Sequence, residues 1–286
     1  MPAEATPTVA QLLRSAAARL PGEAPRREAE LLLMHVLGVG RAWLFAHDCD
    51  PVSPQQQAAF LALLARRERG EPIAYLTGER EFYGLALHVG PATLIPRHDT
   101  ELLVELALQR LPADAAARVL DLGTGSGAIA LALADQRPCA VVHGCDASAE
   151  ALAVARANAE ALGLARVQWT QGDWWRPFEG QRFDLVVSNP PYIEDADPHL
   201  EQGDLRFEPR SALASGPDGL QDLRRIIHAA PVHLQPGAWL LLEHGSLQGA
   251  AVRSLLEAAG LVEVQTWVDL ESRDRVSGGR ANGVCK

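Results

Sequence analysis

From Arg118 onward the chain alternates short apolar runs with helical segments, and few architectures accommodate that alternation. Val119-Leu120-Asp121-Leu122 reads as a strand, Ala128 to Ala134 as a helix, and Ala140 to Cys145 as a second strand. Ala149 to Leu162 follows as helix and Val167 to Thr170 as strand. Phe183 to Ser188 and Ala238 to Leu242 are two further strands flanking a helix from Asp222 to Leu234. Strands separated by helices predict an α/β fold, with a parallel, doubly wound sheet covered on both faces. Val262 to Val268 and Arg275 to Gly279 supply candidate final strands.

In such sheets ligands bind beyond the carboxyl ends of the strands, so the residues there matter most. The first strand runs into Asp121-Leu122-Gly123-Thr124-Gly125-Ser126-Gly127, where glycines permit a tight turn and close ligand approach. The spacing is G-x-G-x-G, not the G-x-G-x-x-G of dinucleotide binders. Asp146 ends the second strand, where an acid accepts hydrogen bonds from ribose hydroxyls. Asp173-Trp174 ends the third and Asn189 the fourth. Single members have blander readings: a structural turn for the glycines, a loop cap for Asp173, core filler for Trp174 or Trp175. Four successive strand ends of this kind are poorly explained by chance. Trp174 is assigned to an adenine face.

The fourth strand ends in Ser188-Asn189-Pro190-Pro191-Tyr192. Asn189 and Pro190 each precede a proline, which pushes both towards extended backbone, and neither proline has an N–H to donate. What remains is a pair of acceptors, the Asn189 side-chain oxygen and the Pro190 carbonyl, beside the flat ring of Tyr192. The arrangement suits a planar substrate bearing an –NH2 group. A simple Asn-Pro turn is the alternative.

The first region, residues 1–87, is mainly helical. Thr8-Val9-Ala10-Gln11 has the form of a capping box, with an apolar face continuing to Pro21. A second helix is expected from Pro25 to Leu37, stopped by Gly38. A third opens at Ser53-Pro54-Gln55-Gln56 and ends before Gly70 and Pro72. A small helical bundle without catalytic clusters reads as a docking module. Residues 88–117 form a connecting hairpin arm, helix and linker, in which Asp99 or Thr100 caps a helix from Glu101 to Leu111. The arm itself begins at Phe82. Residues 118–286 carry the chemistry.

Composition narrows the function. The chain has 286 residues, of which 48% are hydrophobic and 22% charged, enough for a sizeable core. Its formal net charge of −10 disfavours stable nucleic-acid binding. Of the 26 basic residues only Lys286 is a lysine, which excludes an internal phosphate-loop lysine and disfavours Schiff-base chemistry. Cys49, Cys139, Cys145 and Cys285 form no CxxC pair and read as reduced, packing cysteines. No secretory signal and no apolar run of about 20 residues is visible, so a cytoplasmic protein without membrane association is expected. The nine histidines lack metal-ligand spacing, and His228 and His233 read as helix-surface residues; no metal is expected. Ser126 misses a nucleophile elbow because Thr124 stands where that motif needs glycine. Arg66-Arg67-Glu68-Arg69 reads as a solvated helix end.

The D-x-G-x-G-x-G loop, the acid ending the second strand and N-P-P-Y ending the fourth together resemble S-adenosylmethionine-dependent amino methyltransferases. The resemblance extends over essentially the whole chain through Arg26-Arg27-Glu28-Ala29-Glu30-Leu31-Leu32, Glu71 to Gly78, Leu94-Ile95-Pro96-Arg97, Asp99-Thr100-Glu101 and Leu242-Glu243-His244-Gly245. These segments are similar to the peptide chain release factor glutamine methyltransferases, the PrmC/HemK family. The resemblance implies a class I S-adenosylmethionine methyltransferase with a Rossmann-like sheet and a small N-terminal helical domain. It implies methylation of the glutamine nitrogen in the Gly-Gly-Gln motif of class-1 release factors. Gly123, Thr124, Gly125, Ser126, Gly127, Asp146, Trp174 and Asn189 match the family's cofactor positions, and Asn189, Pro190, Pro191 and Tyr192 its glutamine-binding loop. Asn189, Pro190 and Tyr192 are the residues expected to act on the reacting amide. His98 departs from the family pattern, which has a second proline there, and this puts the rigidity of that loop in doubt.

Three other readings share some of these features. A methyltransferase acting on an exocyclic amine of a flipped base needs the same kind of pocket. A related glutamine methyltransferase that modifies a ribosomal protein is the second, and Arg26 to Glu30 and Leu242 to Gly245 point away from it through resemblance. A non-catalytic nucleotide-binding scaffold would share the sheet but has no use for N-P-P-Y.

Overall fold

The computed structural model describes residues 6–283, which divide into two compact units, one ending at Gly78 and the other beginning at Glu79. The first unit holds α1 (Val9–Ala17), α2 (Pro25–Leu37), α3 (Arg41–Ala46), α4 (Pro54–Glu68) and α5 (Ile73–Thr77). The expected caps form: Thr8 and Ser53 each make a capping box, and Gly38 closes α2 in the left-handed conformation. α1 stops at Ala17, short of Pro21. Leu12, Leu13, Leu32, Leu33, Phe60 and Leu64 make the core of this unit.

The charged motifs of this unit are internal ties. Arg67 donates twice to Glu28 at 2.8 Å, joining α4 to α2, and Arg19 pairs with Glu68 at 2.6 Å. Buried Glu30 receives Arg26 and Arg41, each at 2.9 Å, and these partners outweigh burial to hold its carboxyl below the usual range. The Arg66–Arg69 segment is therefore not simply a solvated helix end. Short α3 and α5 were not foreseen; neither has a side-chain cap to announce it.

The second unit opens with β1 (Glu79–Phe82) and β2 (Leu85–His88), an antiparallel hairpin. Its two-residue turn, Tyr83-Gly84, has φ of 51° and 78°, the paired left-handed conformation of a tight hairpin. Phe82 and Leu87 are buried in the main core of this unit, so the compact division falls at Gly78, not after Leu87. α6 (Glu101–Leu108) follows a short 3-10 turn at His98–Thr100. Neither Asp99 nor Thr100 caps it with a side chain. It also ends before Leu111, and Arg137 donates to the carbonyls of Leu108 and Leu111 there.

The main sheet contains β3 (Arg118–Leu122), β4 (Val141–Asp146), β5 (Gln168–Gln171), β6 (Phe183–Ser188), β7 (Leu234–Glu243), β8 (Val262–Val268) and β9 (Asp274–Arg280). Their order is β5-β4-β3-β6-β7-β9-β8. The first five run parallel and β9 runs against both its neighbours, so the sheet is mostly, not wholly, parallel. The connecting helices are α7 (Ala128–Gln136), α8 (Ala149–Ala161), α9 (Gln221–His233) and α10 (Gly249–Ala258).

Alternation along the strands builds the two faces. Val119, Leu185, Val187 and Leu241 join one apolar layer with α6 and α7. Leu120, Leu122, Val186, Leu240 and Leu242 join the other with α9 and α10. α10 was missed because its preceding residue, Gln248, offers no cap; its side chain bonds Gly245 and Tyr192 instead. His233 is buried, stacked on Trp175 at 4.7 Å and bonded to the Gln181 carbonyl, not on the helix surface. Among the described cysteines, Cys145 alone packs as expected, its thiol pushed up to about 12 by burial. Cys49 and Cys139 are exposed, and Cys285 lies outside the described residues.

Candidate active site

The chain leaves β3 for β4 and β5 on one side, then returns to place β6 and β7 on the other. The strand order therefore reverses between β3 and β6, and a crevice opens at their carboxyl ends. Leu122 and Ser188 are register partners there, and the Ser188 hydroxyl donates to the Leu122 carbonyl at 2.6 Å. The next residues, Gly123 and Asn189, flank a cavity of about 510 Å³. That size lies within the usual small-molecule range of about 300–1,000 Å³.

The glycine loop is shaped by its own backbone and by Asp146. The amides of Gly123 and Thr124 both donate to the Cys145 carbonyl, at 2.8 and 2.9 Å. Gly125 donates to Asp146 Oδ2 at 2.9 Å, while Asp146 Oδ1 takes the Ser148 amide at 2.9 Å. Gly123, Gly125 and Gly127 all have left-handed φ, at 72°, 55° and 84°. A β-carbon on Gly125 would meet nothing within 4 Å. One on Gly127 would press on Trp169, Leu131 and Ala155 at 3.0–3.2 Å.

Asp121 lies beneath this loop, fully buried. Its Oδ2 receives the Thr124 hydroxyl at 2.6 Å and the Ala130 amide in the first turn of α7 at 3.2 Å. Burial pushes its carboxyl up to about 7, despite both hydrogen bonds. Asn158 supports the loop from α8, donating to the Ser126 carbonyl at 2.9 Å and bonding His88 in both directions.

Trp174 lines the cavity and Trp175 does not. The Trp174 indole N–H donates to Asp222 at 3.1 Å, and its ring lies close over Gly123. Trp175 is core, donating to the Ile226 carbonyl. Asp173 also lines the cavity and pairs with Arg225 at 2.5 Å.

Asn189 and Pro191 line the cavity; Pro190 is buried behind them. The Asn189 side-chain nitrogen donates to the Thr100 hydroxyl at 3.2 Å, and its oxygen accepts no hydrogen bond among the described residues. Tyr192 is not among the cavity-lining residues: its hydroxyl donates to Glu243 at 3.2 Å and its ring packs on the second core. Burial first, and then the Glu243 charge, push the Tyr192 phenol far above its ordinary value. Glu243 is itself buried and pushed up to about 7, opposed by Thr100, Arg275 and Tyr192.

Arg97 pairs with buried Glu208, and Asp99 with Arg275 at 3.1 Å, while His98 is exposed. The departure at His98 thus leaves both flanking charges engaged.

The structure therefore gathers Gly123 to Ser126, Asp146, Trp174 and Asn189 around one cavity, while Gly127 packs against Trp169, Leu131 and Ala155 outside its lining. Reading the sequence singled out neither Asn158 nor Asp222 as part of the site, and gave Thr100 and Glu243 no role in it. Asn158 carried a signal, since it shares the buried helical face of Ala151, Leu152, Ala155 and Ala159. No group of three or more potential metal ligands occurs among the described residues. No described helix is long and apolar enough to cross a membrane.

Comparison with known proteins adds to this geometry. Residues 11–78 match the PrmC N-terminal domain, and residues 99–204 the methyltransferase small domain. The chain is 55% identical over 277 residues to the release factor glutamine methyltransferase of Xylella fastidiosa strain Temecula1, covering 97% of this chain and 99% of that protein. It is 49% identical over 269 residues to the release factor glutamine methyltransferase of Escherichia coli K12, covering 94% and 97%. Among solved structures it is similar to a Thermus thermophilus 16S rRNA N2 G1207 methyltransferase in complex with AdoMet and guanosine. There the TM-score is 0.54 at 23% identity, over 71% of this chain and 50% of that one, a likeness of fold alone.

Proposed function

The chain belongs to the release factor glutamine methyltransferase family, and from that premise we infer its reaction. It transfers a methyl group from S-adenosyl-L-methionine to the side-chain amide nitrogen (N5) of the glutamine in the Gly-Gly-Gln motif of class-1 peptide chain release factors. The observation that carries the reading is Asn189 at the sheet's switch point, with its nitrogen held by Thr100 and its oxygen free as an acceptor. A substrate in translation termination implies action in the cytoplasm.

The cradle suits S-adenosylmethionine. Gly125 leaves open space above the loop, Asp146 keeps a free lone pair on each oxygen for ribose hydroxyls, and the Trp174 ring supplies a flat apolar surface. When bound, the cofactor supplies a methyl carbon on a sulfonium; nitrogen–carbon bond formation accompanies sulfur–carbon cleavage, and the nitrogen sheds one proton.

The protein's task is to prepare the amide, whose nitrogen is a poor nucleophile because its lone pair is delocalised into the carbonyl. Acceptors from Asn189 Oδ1 and the Pro190 carbonyl orient the two N–H bonds and favour the more pyramidal nitrogen of the transition state. Pro191 lines the wall that holds the amide plane in line with the methyl carbon, and Tyr192 anchors the loop through Glu243. The test is methyl transfer to purified release factor by the wild type and by Asn189→Ala. Wild-type turnover in the variant would defeat this account of the chemistry.

A further inference from the structure

A side-chain amide is nearly symmetric in shape, so packing alone does not choose which end of Asn189 faces the cavity. Only one sense serves the reaction above: oxygen towards the substrate –NH2. The reverse would set donor against donor.

The choice falls to the groups behind Asn189. Its nitrogen donates to the Thr100 hydroxyl at 3.2 Å. That hydroxyl has a single proton, and it remains an acceptor for Asn189 only while its proton is directed elsewhere. Thr100 is buried, and its hydroxyl is among the groups that hold the Glu243 carboxyl down against the effect of burial. Glu243 Oε2 is buried with no hydrogen-bond partner, while Oε1 takes the Tyr192 hydroxyl. An ionised carboxylate can only accept.

We propose that Glu243 is a positioning residue that sets the sense of the Asn189 amide through Thr100. With Asn189 donating to Thr100 and the Thr100 proton directed to the unpartnered Oε2 of Glu243, the donors run one way and leave Asn189 Oδ1 as acceptor in the cavity. Tyr192 ends on the same carboxylate, so both ends of the Asn-Pro-Pro-Tyr loop are referred to one buried group. The inference rests on the glutamine methyltransferase reading.

The charges around Glu243 are consistent with this role. Tyr192 faces it from the loop after β6, Arg275 from β9, and Asp99 and Thr100 from the turn before α6. Burial raises its carboxyl to about 7, so the accepting form predominates above that pH. A protonated carboxyl can donate to Thr100 and reverse the chain.

The experiment uses the full chain as wild type, Thr100→Val, Thr100→Ser and Glu243→Gln. It measures kcat and KM on release factor, the Kd for S-adenosylmethionine, and the Asn189 side-chain NH2 signals by NMR. Thr100→Val and Glu243→Gln are expected to lose about 10- to 100-fold in kcat, with KM and cofactor Kd held within about threefold. Thr100→Ser keeps the hydroxyl and is expected to stay within about threefold of wild type in kcat. Wild-type kcat rises with pH through about 7, and Glu243→Gln removes that rise. The Asn189 NH2 signals shift in Glu243→Gln, where a donor replaces the acceptor. Wild-type kcat in Glu243→Gln, a loss confined to cofactor Kd, or unchanged Asn189 signals would each overturn the proposal. Inactivity of the wild type on release factor would instead overturn the functional reading, and the NMR comparison would still judge Glu243.

Discussion

The Gly125 amide donates to Asp146 Oδ2 at 2.9 Å, so the glycine loop and the acid of the neighbouring strand form one piece. Each holds the other in place before any ligand arrives, which lowers the ordering cost of binding.

Two alanine substitutions in this loop should therefore separate. Gly125→Ala puts a β-carbon into open space at a left-handed φ of 55°. It should cost about 1–2 kcal/mol in stability and weaken S-adenosylmethionine binding further by occupying the approach. Gly127→Ala adds contacts of 3.0–3.2 Å to the same backbone penalty. It should cost more stability, about 2–4 kcal/mol. Denaturant unfolding with calorimetric titration of cofactor checks both; equal effects on stability would contradict the assignment.

Asn189→Ala removes the acceptor that we propose faces the reacting nitrogen. Its kcat should fall by roughly 10²- to 10³-fold, the scale for losing one preorganised polar group. Single-turnover transfer to release factor reads this directly, and a loss seen only in KM would assign Asn189 to ground-state binding.

The stability contributed by Asp121 and Glu243 should fall as pH rises from about 5 to 8, against an opposite contribution from buried His143 and His244, whose values burial lowers. Buried Asp121 and Glu243 are each held at about 7, against 3.8 and 4.5 for the free side chains. The folded chain binds these protons more tightly than the unfolded chain. Their contribution is complete below the unfolded values and lost as pH passes through about 7, on the order of a few kcal/mol in total. Carboxylates with depressed values, such as Glu30 and Asp218, act in the opposite sense and only at lower pH. Thermal midpoints across this range check the sign, and Glu243→Gln should flatten the slope.

The helical unit has its own core, and every residue lining the cavity comes from the second unit. We propose that the helical unit docks the release factor away from the glutamine. A chain beginning at Glu79 should keep cofactor affinity within about threefold while kcat/KM on release factor drops at least about tenfold. Full activity on intact release factor would refute the docking role.

Much of the site was legible in the sequence because strand ends are fixed by local pattern. The runs ending at Leu122, Cys145 and Ser188 stop where glycine, Asp146 or Asn-Pro interrupts them, and the sheet brings those ends together. The antiparallel course of β9 was not legible, because strand direction depends on pairing and not on local composition. Thr100 was misjudged for a related reason. A threonine before a helix is an ordinary cap signal, yet its hydroxyl is engaged by Asn189, 89 positions away in the chain. Glu243 ends an apolar strand, and its role emerges only when Tyr192 and Thr100 are placed around it.

The account stands most directly on where the methyl group goes. Purified protein should be incubated with methyl-labelled S-adenosylmethionine and, separately, with release factor, ribosomal protein and RNA. Label should appear on release factor alone, and peptide mass spectrometry should place it on the Gly-Gly-Gln glutamine. Label on RNA or ribosomal protein, with none on release factor, would contradict the account.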